Sequence, residues 1–104
     1  MDINFTIASD KLTSDIAKPI SGNVNYYKCN FTFSDEWAEL AKFAVFSRKD
    51  RTYTIEIKDG SCFIPKEVLT ESGNIAIGVF GTNASETEYI RISTNPVTAL
   101  VSIG

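Results

Sequence analysis

Residues 31–46 read F-T-F-S-D-E-W-A-E-L-A-K-F-A-V-F and hold the sole tryptophan, Trp37, with four of the seven phenylalanines, Phe31, Phe33, Phe43 and Phe46. Each large aromatic buries roughly 150 to 250 Å² when packed, so a small domain builds its centre where they cluster. Two local structures compete for this run. Ser34 resembles a helix N-cap, Asp35 and Glu36 suit the positive end of a helix dipole, and Trp37, Leu40 and Ala41 recur at helical spacing. A helix continued through Phe46 would need a longer apolar period than the run contains, and Phe43, Val45 and Phe46 favour an extended strand. The reading is therefore strand, capped turn over 35–40, and strand over 41–47. Trp37 plugs the reversal, and Phe31, Phe33, Phe43 and Phe46 fill the core.

On the amino-terminal side, residues 2–8 alternate, with Ile3, Phe5 and Ile7 on one face and Asp2, Asn4 and Thr6 on the other, as in a half-buried strand. Residues 9–22 carry Pro19, Ser21 and Gly22 and read as loop, with a short edge strand near 12–16. A strand over 23–33 sets Tyr27, Cys29, Phe31 and Phe33 inward, against Lys28, Asn30 and Thr32.

On the carboxyl side, S-R-K-D-R at 47–51 reads as an exposed hairpin loop. Residues 52–58 form a strand with Tyr53, Ile55 and Ile57 inward. Asp59-Gly60 is a two-residue hairpin signal, with 61–64 as the partner strand. Pro65 suits the first position of a single helical turn that closes near Ser72-Gly73. Residues 74–82 form a strand on Ile75, Ile77 and Val79, in which Gly78 suggests a close backbone approach or a bulge. Strands over 88–93, with Ile90 and Ile92 inward, and over 97–103, on Val97, Ala99, Val101 and Ile103, are separated by Asn95-Pro96. The expectation is a single all-β domain over 1–104, a β-sandwich of immunoglobulin-like type with seven to nine short strands and one or two single-turn helices.

A chain of 104 residues with 43% apolar content is the size and composition of one core. Ten basic residues scattered among thirteen acidic ones, net charge -3, argue against nucleic acid as a partner. No apolar run reaches membrane-spanning length, and the amino terminus lacks a secretory signal, so no membrane partner and synthesis in a cytoplasm are expected. Cys29 and Cys62 are then small buried hydrophobes, with a disulfide as the alternative. The sequons at Asn4, Asn30 and Asn83 have no route to a glycan in that compartment.

There is no histidine. That removes the commonest general base, the usual metal ligand and every Ser-His-Asp or Cys-His nucleophile. Two cysteines without histidine do not make a structural zinc site, and the glycines form no phosphate loop. Asp35, Glu36 and Glu39 cluster as acid/base or calcium groups would, yet carboxylates in a first helical turn are the simpler account. Tyr26, Tyr53 and Tyr89 are candidate surface contacts, an aromatic platform for sugar, although tyrosine is also at home on a half-exposed sheet. No catalytic, cofactor-binding or metal residue is expected.

Four pieces in order, F-S-D-E-W-A-E-L-A-K-F-A-V-F at 33–46, Y-T-I-E-I-K-D-G-S-C-F-I-P-K-E-V-L at 53–69, G-N-I-A-I-G-V-F-G-T at 73–82 and R-I-S-T-N at 91–95, carry a resemblance. Together they resemble the amino-terminal domain of phage and prophage tail or baseplate proteins of Gram-positive bacteria, including the upper baseplate protein family, over about residues 24–97. The resemblance implies a β-sandwich-like module without catalytic residues, located in the virion and docked onto other tail or baseplate proteins, with homo-oligomeric order in the particle. Members often continue into fibre, coiled-coil or receptor-binding segments, whereas this chain stops at Gly104, which bears on receptor recognition more than on assembly. The first strand and residues 10–23 are the expected contact regions. The alternative is a carbohydrate-binding or adhesive module for host cell-wall sugars.

Overall fold

The structure, a computed structural model, describes residues 2–15, 20–21, 27–70, 72–83 and 91–102. Ten strands follow in chain order among the described residues. They are β1 (Asp2–Ala8), β2 (Lys11–Ser14), β3 (Ile20–Ser21), β4 (Lys28–Phe33) and β5 (Ala41–Arg48), then β6 (Arg51–Glu56), β7 (Ser61–Phe63), β8 (Gly73–Thr82), β9 (Arg91–Ser93) and β10 (Val97–Ser102). Short 3-10 turns occupy Asp35–Trp37 and Lys66–Leu69. The strand beyond the expected nine is β3, which lies in a stretch read as loop and is held by parallel pairing to β10.

The strands form two sheets, ordered β2-β1-β4-β7 and β3-β10-β8-β5-β6, with β9 also paired to β8. The fold is an all-β sandwich. Its strand order is not the immunoglobulin one, whose sheets run ABED and CFG. Here β1 runs parallel to β4 in the middle of the first sheet. The first strand, expected as a contact region, thus has both edges taken, by β2 and β4.

Alternation directs the side chains. Ile3, Phe5, Ile7, Cys29, Phe31 and Cys62 of the first sheet meet Ala44, Phe46, Ile75, Ile77, Val79, Ala99 and Val101 of the second in one buried cluster. A file of rings runs through it. Phe5 stacks on Phe31 at 5.0 Å between centroids, Phe31 on Phe33 at 6.1 Å, and Phe33 meets Trp37 at 5.2 Å. Each such pair adds about 0.5 to 1.5 kcal/mol beyond area burial.

Trp37 ends this file, fully buried, and its indole N–H donates to the Ser9 carbonyl at 2.8 Å. The polar tip of the ring is therefore satisfied as burial requires. Ser34 occupies the cap position but makes no side-chain cap bond. Its hydroxyl accepts instead from the Ser9 N–H at 2.9 Å, pinning the β1–β2 turn, where Ser9 has a φ of 59°. Lys42 covers the same end of the core, with its ammonium 5.3 Å from the Phe33 centroid and donating to the Leu40 carbonyl.

Several expectations are corrected. Phe43 is not in the core, because strand parity sends Ala44 and Phe46 inward and turns Phe43 and Val45 to the solvent side of the second sheet. Phe33 is partly buried and packs against the core. Arg48, placed by its charge in an exposed loop, is buried and donates to the carbonyls of Val68 at 3.3 Å and Ser72 at 2.6 Å, tying the Lys66–Leu69 turn to β5. Pro65 caps that turn rather than starting it.

Asp59-Gly60 does form a closed two-residue turn, with φ of 54° and 76° and reciprocal bonds between Lys58 and Ser61. It does not join paired neighbours in one sheet. The preceding strand β6 pairs with β5, and the following strand β7 pairs with β4, so the turn hands the chain from the second sheet to the first. The positions of Ile90 and Ile103 lie outside the described residues.

Candidate docking face

The second sheet turns an apolar surface to solvent. Phe43 and Phe80 are Cα partners in the β5–β8 ladder, and their half-buried rings stack at 5.1 Å with 20° between planes. Val45 and Ala76 continue the patch on the same strands, and Leu100, on neighbouring β10, is 48% exposed. Half-buried rings on the outside of a sheet are not explained by the core, because Phe43, Val45 and Phe80 are not packed against it.

A shallow depression of about 210 Å³ opens in this patch, walled by Val45, Ala76, Phe80, Ser93, Thr94 and Pro96, with Gly78 at its floor. Two features create it. Gly78 lacks a side chain, and a Cβ built there would meet nothing within 4 Å. Beside it the partner strand bulges: Phe80 pairs with Ser93 and Ile77 with Val97, so residues 78–79 face 94–96, one residue extra. Thr94 repairs the interrupted ladder, its N–H donating to the Val79 carbonyl at 2.9 Å and its hydroxyl accepting from the Val79 N–H at 3.0 Å. A proline at 96 is tolerated because a bulge asks no ladder donor of it.

Gly78 was expected to mark a close backbone approach or a bulge. The approach is absent, and the bulge lies on the opposing strand. The close contact belongs to Gly81, where an added Cβ would come within 2.9 Å of the Trp37 ring and 3.1 Å of Leu40.

The outer face of the first sheet is polar. Asn4 and Asn30 are neighbours across the β1–β4 pair, with Thr6 beside Thr32 and Thr13. Asp15 accepts from the backbone N–H and the amide of Asn4, both at 2.9 Å, and the Asn30 amide donates to Asp2 and Asn4. The Asn4 backbone donor, then its amide, hold the Asp15 carboxyl below its ordinary range. At the β7 edge of this face Phe63 is 54% exposed.

Among the described residues, the three candidate tyrosines are represented by Tyr53 alone. Tyr53 points inward, half-buried against the core, and also lines a polar hollow with Arg48, Lys49, Asp50, Arg51, Glu67 and Thr70. Tyr26 and Tyr89 lie outside the described residues. Asp35, Glu36 and Glu39 are exposed, and among the described residues no three His, Cys, Asp or Glu side chains group to hold a metal ion. Glu36 is held below its usual range by its own backbone N–H, then by the hydroxyls of Ser9 and Ser34, which makes it part of the turn that seats Trp37. Reading the sequence missed the outward Phe43–Phe80 pair; a strict count of strand parity from Phe46 would have found half of it.

No helix among the described residues is long and apolar enough to cross a membrane. No protein-family model and no curated protein matches the chain.

Proposed function

We propose that this domain is a non-enzymatic structural module of a phage or prophage tail or baseplate, made in the bacterial cytoplasm and built into the virion by docking onto other proteins of the particle. The outer face of the second sheet is the docking surface. The motif order at 33–46, 53–69, 73–82 and 91–95 supports the setting, and the apolar face supports the mode of action. One observation carries the reading: Gly78 stands in a central strand, where glycine costs about 0.5 to 1 kcal/mol relative to Ala, at a position that neither positive φ nor crowding requires. Its empty socket, rimmed by Val45, Ala76 and Phe80, suits an apolar side chain of a partner.

Co-expression with the tail and baseplate proteins encoded beside it, followed by affinity capture of the reduced protein, tests the proposal. A stable complex lost in Gly78→Val and kept in a Thr32→Ser control on the opposite face is the expected result. Equal capture by both variants would sink this choice of surface.

A second reading, a carbohydrate-binding module, is favoured by exposed Phe63 near the Asp2–Asn30–Asn4 hydrogen-bond chain, since a ring beside fixed amides suits a sugar. A glycan array on which Phe63→Ala loses all signal would establish it over the first.

A further inference from the structure

Cys29 and Cys62 are direct partners in the antiparallel pairing of β4 and β7, and both side chains enter the core, at 0% and 7% exposure. The Phe31 N–H donates to the Gly60 carbonyl at 2.7 Å and the Ile64 N–H to Tyr27 at 3.0 Å. Ladder pairs alternate between hydrogen-bonded and not, so the cysteine pair, two steps from each of these, is a hydrogen-bonded pair with Cα atoms about 5.5 Å apart. Disulfides span Cα separations of about 4.4 to 6.8 Å, most often near 5.5 to 6 Å, so strand register already sets the Cα spacing, and closing the bond draws the Cβ atoms, about 5.5 Å apart in such a pair, in to the roughly 3.5 to 4.5 Å that a disulfide spans. Both residues are free thiols in the structure.

We propose that Cys29 and Cys62 form a modification site, a dithiol that closes to an intrachain disulfide by exchange with a small-molecule disulfide and staples the edge strand β7 to β4. Cys62 sits on the edge strand β7 and is 7% exposed where Cys29 is fully buried, so Cys62 is the attacking sulfur; the neighbouring Cys29 thiol also holds the Cys62 thiol below its ordinary range. With oxidised glutathione, the Cys62 thiolate attacks one sulfur, forming a mixed disulfide and releasing one glutathione thiolate. Cys29 then gives up its proton and attacks the Cys62 sulfur, expelling the second. Two glutathiones leave carrying the two protons and two electrons that the protein lost.

Access comes through β7, a three-residue strand at a sheet edge, the kind of element that opens locally at low free energy. The closed loop spans residues 29–62 and holds Trp37, β5 and β6 within it. The timing rests on the proposed virion role: thiols persist in a reducing cytoplasm and oxidise once particles leave it.

The test uses the whole chain, reduced and then incubated natively with oxidised glutathione. Intact mass should fall by two hydrogens, thiols counted in denaturant should drop from two to none, and Tm should rise on the order of 10 °C, reversibly with dithiothreitol. Cys62→Ala should show neither the mass loss nor the rise. Should that variant fail to fold, the dithiothreitol reversal in the parent chain decides alone. Persistent thiols, a lasting glutathione adduct, a linked dimer or a lowered Tm would each overturn the staple. Since affinity capture is done on reduced protein, such a failure leaves the docking proposal to stand or fall by itself.

Discussion

Gly78 and Gly81 sit three residues apart on β8 and face opposite ways. Gly81 looks into the core, where the Trp37 ring leaves no room for a methyl group, whereas Gly78 looks out over an unfilled socket. The same residue type answers two demands on one strand. At Gly81 the fold requires the missing side chain; at Gly78 neither a positive φ nor crowding requires it.

The largest effect that would sharpen this contrast comes from Trp37. Removing a fully buried tryptophan as Trp37→Ala should cost roughly 3 to 5 kcal/mol in urea unfolding. A loss under about 1 kcal/mol would show the ring to be dispensable to the core. Gly81→Ala should cost about 1 to 3 kcal/mol by overpacking, and that penalty should shrink when combined with Trp37→Ala, as a double-mutant cycle measures. Additive losses would break the link between the two residues.

Gly78→Val is expected to leave stability unchanged or raise it by up to about 1 kcal/mol, as a β-branched residue in a strand interior does. A loss beyond 1 kcal/mol would make Gly78 structural like Gly81 and erase the comparison. Leu100→Ser, on the same outer face, should fall within about 0.5 kcal/mol of the parent by thermal unfolding while weakening capture of a partner.

The smallest effect is acidic. Asp15 and Glu36 are held below their ordinary ranges, so the stability they add is complete above their unfolded pKa values, near 4, and fades as pH falls through the lower folded values. Melting curves for Asp15→Asn should lie below the parent at pH 6 and converge with it toward pH 2. A constant gap across that range would rule out the linkage.

Much of the fold was legible because period-two alternation is a local signal. It placed Ile3, Phe5 and Ile7, Ile75, Ile77 and Val79, and the strand–turn–strand around Trp37. Phe43 was misplaced because the aromatics were treated as one apolar store; parity separates it from Phe46 by an odd number of residues, and therefore by a sheet face. The chemistry of Asp59-Gly60 was also local, and the turn formed, but which sheet receives the next strand depends on Cys29 and Asn30, far back in the chain. Neither the bulge at residues 94–96 nor the contact of Gly81 with Trp37 leaves a mark in a single strand, since each exists only between two elements. The outward aromatic pair was hidden for the same reason: Phe43 and Phe80 become neighbours only once β5 and β8 are in register.

The passage through Asp59-Gly60 is one of several. Following β1 to β10, the described strands change sheet between β2 and β3, β3 and β4, β4 and β5, β6 and β7, and β7 and β8. Neither sheet can therefore be completed before the other has begun. The sandwich is dominated by non-local contacts, which predicts folding on the millisecond-to-second scale typical of such topologies, about that of other all-β domains. The same interleaving leaves no half of the chain that could act as a folded unit when cut from the other.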